Sequence, residues 1–180
     1  MNTRFQLTEI FDLNVMFYGN AILGSVFLWG FMIYVGVAML ALSPLAAVLA
    51  GLVITLLHWD AVFWHQFGHA WAARRTGYPM KGITAWWLLS SSVYPSEEPE
   101  LPAEVHIRRA LGGPLASFIY TLVTGLFTLL LYSIGPAVRM VLLFWFLDNL
   151  IVFTIGALVP LGFNDGSTLL HWWPRRTRGS

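Results

Sequence analysis

Apolar residues run along this chain in long blocks rather than in alternation. Residues 15–57 are 43 consecutive positions without Asp, Glu, Lys or Arg, twice the ~20 needed to cross a hydrocarbon core. Two spans fit in that block, hinged near Ser43 and Pro44. A second uncharged run, 110–138, holds a third span, and 141–163 holds a fourth interrupted only by Asp148. The pattern predicts helices near 21–42, 45–72, 112–133 and 139–162. Between the second and third, 84–89 is apolar and β-prone, 90–92 is three serines, and 95–104 carries four glutamates and three prolines. A strand or hairpin at the membrane surface followed by an extended acidic loop is expected there. The expected fold class is therefore an all-α polytopic membrane protein of four transmembrane helices, with a short membrane-associated β element in its central loop. With no repeat or low-complexity tract, residues 1–180 are expected to form one membrane-embedded domain.

Composition agrees with this reading. The chain is 57% hydrophobic, 16% aromatic and 11% charged, against roughly 25% charged in an average soluble domain. A cleaved signal peptide is not expected, because the first apolar run starts late and is long enough to span. The absence of cysteine excludes disulfides and thiolate metal sites. A net charge of +1 gives no reason to expect nucleic acid as a partner. With four spans, every Lys and Arg except Arg139 falls on the side of the two termini and the central loop, so both termini are expected in the cytoplasm. Trp86, Trp87, Trp172 and Trp173 would anchor that interface.

Near the cytoplasmic end of the second span the sequence reads His65-Gln66-Phe67-Gly68-His69. Histidines four apart lie on one helix face and can reach a single cation. This is the spacing of the H-E-x-x-H zinc motif with Gln in the second place. In a soluble chain such a pair would be read as ordinary hydrogen-bonding residues, but polar side chains within a span usually face a cavity or a partner. Counted back from Arg74, the pair lies roughly 8–14 Å below the membrane edge. Asp165 follows the fourth span and returns to that level, flanked by Pro160, Gly162 and Gly166, which favour a broken helix end. Two His and one carboxylate form a known catalytic zinc set.

The three segments HQFGHA, RRALGGPLAS and VPLGFNDGSTLL, in that order, resemble the signature regions of the site-2 protease family of intramembrane zinc metalloproteases. GITAWWLLSSSVYP also resembles the membrane-associated strand region of that family. The resemblance spans about residues 59–170. It implies Zn2+ held by His65, His69 and Asp165, the general-base position at Gln66, and packing or substrate contacts from Gly113, Pro114, Ala116, Ser91 and Ser92. It implies cleavage of peptide bonds in or beside transmembrane segments of a membrane protein substrate. Two departures concern substrate positioning: Ala157 stands where many relatives have Asn, and Asn164 where Leu usually precedes the Asp. Gln66 concerns the chemistry, because a neutral amide cannot accept the proton that the family's Glu accepts.

Two explanations compete for Gln66. It is either an engineered substitution in an active protease, with Gly179 and Ser180 as a cloning remnant, or natural in a pseudoprotease that binds membrane helices without cutting them. The engineered explanation is favoured. A metal-ion transporter would distribute its ligands across the bilayer, whereas these three cluster at one depth.

Other polar residues carry weaker expectations. His58 shares the helix face of His65, and a structural hydrogen bond is its expected role. Asp148 and Asn149 are functional candidates as polar groups inside a span, with Asp60 or Arg139 as alternative structural partners. The glutamates of the central loop are expected to be solvated, and His106 and His171 to be surface residues.

Overall fold

The computed structural model describes residues 4–10 and 12–176; Arg178, Gly179 and Ser180 lie outside the described residues. Two strands open the chain, β1 (Arg4–Ile10) and β2 (Leu13–Tyr18), followed by helix α1 (Gly19–Tyr34), which continues as a π-helical stretch, Val35–Met39. Helix α2 (Pro44–Arg75) leads to β3 (Gly82–Trp86) and β4 (Leu89–Val93). Helix α3 (Ala103–Leu131) and helix α4 (Pro136–Leu147) follow, α4 running on as a π-helix over Asp148–Gly156. A short helix, α5 (Asp165–Trp172), closes the described chain.

Among the described residues, four helical stretches, Gly19–Met39, Pro44–Arg75, Ala103–Leu131 and Pro136–Gly156, are long and apolar enough to cross a membrane, as the charge-free blocks require. The hinge between the first two falls at Ser43, whose hydroxyl accepts a hydrogen bond from the Ala46 N–H and caps α2, with Pro44 in its first turn.

The third span differs from expectation. It starts at Ala103 rather than near 112, and Pro114 lies inside it rather than in its first turn. Buried Ala103, Ile107 and Ala110 continue the stripe of Pro114, Ser117 and Thr121. The helix is thus packed along one face from before its charged segment begins. Pro114 is tolerated because that packing outweighs the one backbone hydrogen bond it removes.

The sheet is also larger than the hairpin expected. Its order is β1-β2-β3-β4, with β2 pairing parallel to β3. Residues 13–18 sit at the head of a charge-free block, and antiparallel pairing with β1 and parallel pairing with β3 make them a strand. Leu13 and Ile83 pack with Ala70, Ala73 and Met80 against the end of α2. This contact fixes the sheet beside the His65–His69 turn and leaves β4 as an edge strand.

Candidate metal centre

The site is assembled by α2, α3 and α5. Gly68 and Gly112 let the first two helices touch: a Cβ on either would overlap the carbonyl of the other, and one on Gly68 would also overlap Ala116 Cβ. This close crossing places α3 against the histidine face of α2. His65 and His69 are buried, with Nε2 atoms 3.0 Å apart. Asp165 reaches them at the first turn of α5, with Oδ2 3.2 Å from His65 Nε2 and Oδ1 3.4 Å from His69 Nε2.

The carboxylate is delivered by a knot at Asn164. Its Oδ1 accepts from the N–H groups of Leu161 and Ser167, and its Nδ2 donates to the carbonyls of Gly156, Ala157 and Val159. The side chain thus caps α5 and satisfies the free carbonyls at the end of the π-helix. Gly166 permits the tight return, since a Cβ there would overlap the Leu158 carbonyl.

Hydrogen bonding on the far side of each imidazole sets what faces inward. His69 Nδ1 lies 2.8 Å from the Arg109 carbonyl, so it carries the proton and donates, leaving Nε2 as a lone pair. His65 Nδ1 lies 2.9 Å from Ser117 Oγ, and donation there leaves its Nε2 in the same state. Two ring lone pairs and a carboxylate then converge, an arrangement of acceptors that calls for a cation. The Nε2 atoms are 3.0 Å apart and the two carboxylate oxygens lie 3.2 and 3.4 Å from them, close to the spacing of about 3.3 Å that bonds of about 2.0–2.1 Å give between ligands of a tetrahedral ion. Among the described residues these three form a group whose ligand atoms lie within 4.8 Å of one another. Gly113 keeps space beside them, because a Cβ there would overlap the Nε2 atoms of both histidines.

Gln66 is buried beside the histidines and held from β4. Its Nε2 donates to Ser90 Oγ at 2.9 Å, and its Oε1 accepts from Ser92 Oγ at 2.8 Å. Side chains alternate along a strand, so Ser90 and Ser92 face Gln66, while Ser91 accepts from the Trp86 indole N–H. Ser92 therefore faces the Gln66 side chain. Ser91 borders the cavity without touching Gln66, and Ser90 is the partner that reading the three serines as one polar run overlooked.

A cavity of about 830 Å³ opens from this centre. Its lining combines Leu89, Phe153, Leu161 and Phe163 with a polar end at Glu98 and Arg109. Arg109 is buried, donates to both carboxylate oxygens of Glu98 and to the Tyr78 carbonyl, and stacks 4.1 Å over the Tyr94 ring. Hydrogen bonding from Arg109 lowers the Glu98 pKa, and burial pushes the Tyr94 hydroxyl up to about 12. Glu98 is thus not a solvated loop glutamate, unlike exposed Glu97, Glu100 and Glu104. His106 also departs from expectation, stacking on Trp172 at 4.1 Å in the cavity lining, whereas His171 is exposed.

His58 has the structural hydrogen bond expected of it, and its partner is Asp148. Neither Asp60 nor Arg139 is the partner of Asp148 or Asn149: Asp60 accepts from the Tyr120 hydroxyl, and Arg139 donates to the Tyr132 carbonyl. Asn149 is fully buried and donates to the Trp145 carbonyl.

Helices long enough to span a membrane surround a His-His-Asp cluster beside an edge strand, and this arrangement has a counterpart among solved structures. The particular structure it matches is the site-2 protease from Methanocaldococcus jannaschii, with a TM-score of 0.66 and 19% sequence identity over 98% of this chain and 74% of that one. At that identity the likeness is one of fold. No protein-family profile and no curated protein sequence matches the chain.

Proposed function

We propose that this chain is a zinc metalloendopeptidase of the site-2 type in architecture, directed at peptide bonds in or beside transmembrane segments of a membrane protein, and that Gln66 holds it inactive. The convergence of His65 Nε2, His69 Nε2 and Asp165 on one point is the observation that carries this reading. His65, His69 and Asp165 would hold Zn2+, a set of ligands that leaves one position open. When bound, zinc supplies Lewis acidity toward the scissile carbonyl and lowers the pKa of water.

The remaining steps belong to the chain. Substrate lies along β4, whose outer edge has no strand partner among the described residues, and pairs with it by backbone hydrogen bonds. Such pairing requires an unwound substrate, since a helix uses its own carbonyls. Position 66 faces the same cavity. With Glu there, Ser90 and Ser92 would both donate to the carboxylate and aim it; Glu would take the proton from water and pass it to the leaving amine. Gln66 keeps the shape and both serine contacts but accepts no proton. Gly113, Pro114 and Ala116 pack α3 beside the centre, and both termini lie in the cytoplasm by the positive-inside rule.

The test pairs the chain as it stands with Gln66→Glu in proteoliposomes containing a candidate transmembrane substrate. The variant is expected to cleave at a rate higher by about 10² to 10⁴, with equal zinc content in both proteins. A zinc-loaded, folded Gln66→Glu protein that cuts none of a panel of transmembrane substrates, yet binds them as tightly as the parent, favours the second reading, a natural pseudoprotease.

A further inference from the structure

The lipid-facing side of α2 carries one residue that does not suit lipid. Leu52, Leu56 and Trp64 are 41%, 61% and 42% exposed, and Asp60 lies in the same i, i+4 row and is exposed too. Asp60 is 16 residues after Pro44 and 14 before Arg74, or about 24 Å and 21 Å along the helix. It therefore sits deep within a hydrocarbon layer about 30 Å thick. Acidic groups at that depth almost always turn inward or pair. On this surface Asp60 accepts from the Tyr120 hydroxyl of α3, which occupies one of the roughly four lone-pair positions of a carboxylate.

The surroundings of Asp60 are those that recognise a cation. The Trp64 ring packs on Tyr120 with centroids 5.0 Å apart, and Tyr120 meets Trp145 edge-on at 5.6 Å. The Trp64 indole N–H is engaged by the Ala116 carbonyl, which pins the ring across the α2–α3 seam. A carboxylate rimmed by aromatic rings attracts an ammonium or guanidinium group, more strongly where water is scarce.

The geometry points to this seam as a docking site for a transmembrane helix of another protein, with a Lys or Arg near mid-bilayer placed against Asp60. A second copy of this chain does not supply that group. Its described cations on spans lie at the end of α2 (Arg74, Arg75), near the start of α3 (Arg108, Arg109) and near the start of α4 (Arg139). The site is on the outer surface of α2, whereas His65 and Gln66 face inward, so it is separate from the proposed catalytic cavity.

Energy transfer in phosphatidylcholine vesicles tests this. A donor is placed on Ser133→Cys in the exposed α3–α4 turn, the chain having no cysteine of its own. Acceptors are two synthetic transmembrane peptides, one all-leucine and one with a single central lysine. The lysine peptide is expected to associate at about tenfold lower membrane density than the leucine peptide. Asp60→Asn, which still accepts from Tyr120 and so keeps the fold, should abolish that preference. Equal association of both peptides overturns the inference, as does a lysine preference that survives Asp60→Asn. Asp60-dependent self-association without lysine preference overturns it in favour of a homodimer.

Discussion

His58 Nδ1 lies 3.0 Å from Asp148 Oδ2, with both side chains more than 90% buried. The other ring nitrogen, Nε2, lies 3.0 Å from the Leu88 carbonyl. Both nitrogens of one imidazole thus face acceptors, one on the π-helical end of the fourth span and one on the β3–β4 turn. His58 ties α2 to both elements, and residues from both, Leu89 and Phe153, line the cavity. A π-helical stretch that starts at Asp148 and holds Phe153 against His58 and His65 rings at 5.8 and 5.7 Å is consistent with a site built on it.

Removing one member of this pair strands the other in an apolar interior. His58→Ala or Asp148→Ala is expected to destabilise the fold by about 3–5 kcal/mol, whereas His58→Leu with Asp148→Leu should cost much less. Reversible unfolding in mixed detergent micelles measures both. A double variant as damaged as the single ones would show that the pair itself carries the stability.

Ser117 touches no ion yet accepts from His65, which makes it a positioning residue. Ser117→Ala is expected to weaken zinc binding by about 10–100-fold with the helices intact. Gly113→Ala, whose Cβ would overlap the Nε2 atoms of both histidines, should weaken it by at least about tenfold. Zinc competition with a chelator, alongside circular dichroism, separates loss of metal from loss of fold.

Gly68→Ala acts on packing instead. Its Cβ would overlap Gly112 and Ala116, so the helices must separate, at a cost of about 1–3 kcal/mol. Cross-linking between cysteines introduced on α2 and α3 should report the displacement.

The Arg109–Glu98 contact gives the central loop a pH dependence. The folded pKa of Glu98 lies below its ordinary value of 4.5 because Arg109 donates to it. The contact therefore stabilises the loop fully above that unfolded value and is lost as the pH falls through the lowered one. Protection from hydrogen exchange at 95–102, relative to the intrinsic rate at each pH, is expected to fall across that acidic window. In Glu98→Gln that protection should be low already at neutral pH and independent of pH.

Charge-free runs alone determined the four spans and the i, i+4 histidine pair, because a bilayer demands length and apolarity and a helix sets its own periodicity. Asp165 was legible as a companion of the two histidines because three breakers beside it announced a helix end at the right depth. Only the tertiary structure decided the rest. Residues 13–18 form a hairpin with β1 and also join β3, a parallel partner nearly seventy positions away, and no local pattern encodes that second partner. Helix α3 begins at Ala103 because its polar first turns have a buried face to pack on. Glu98, Ser90, Ser117, Asn164 and the pairing of His58 with Asp148 took their roles from contacts across elements. A polar side chain in sequence states what it can bond to, and the fold selects which group lies within 3 Å of it.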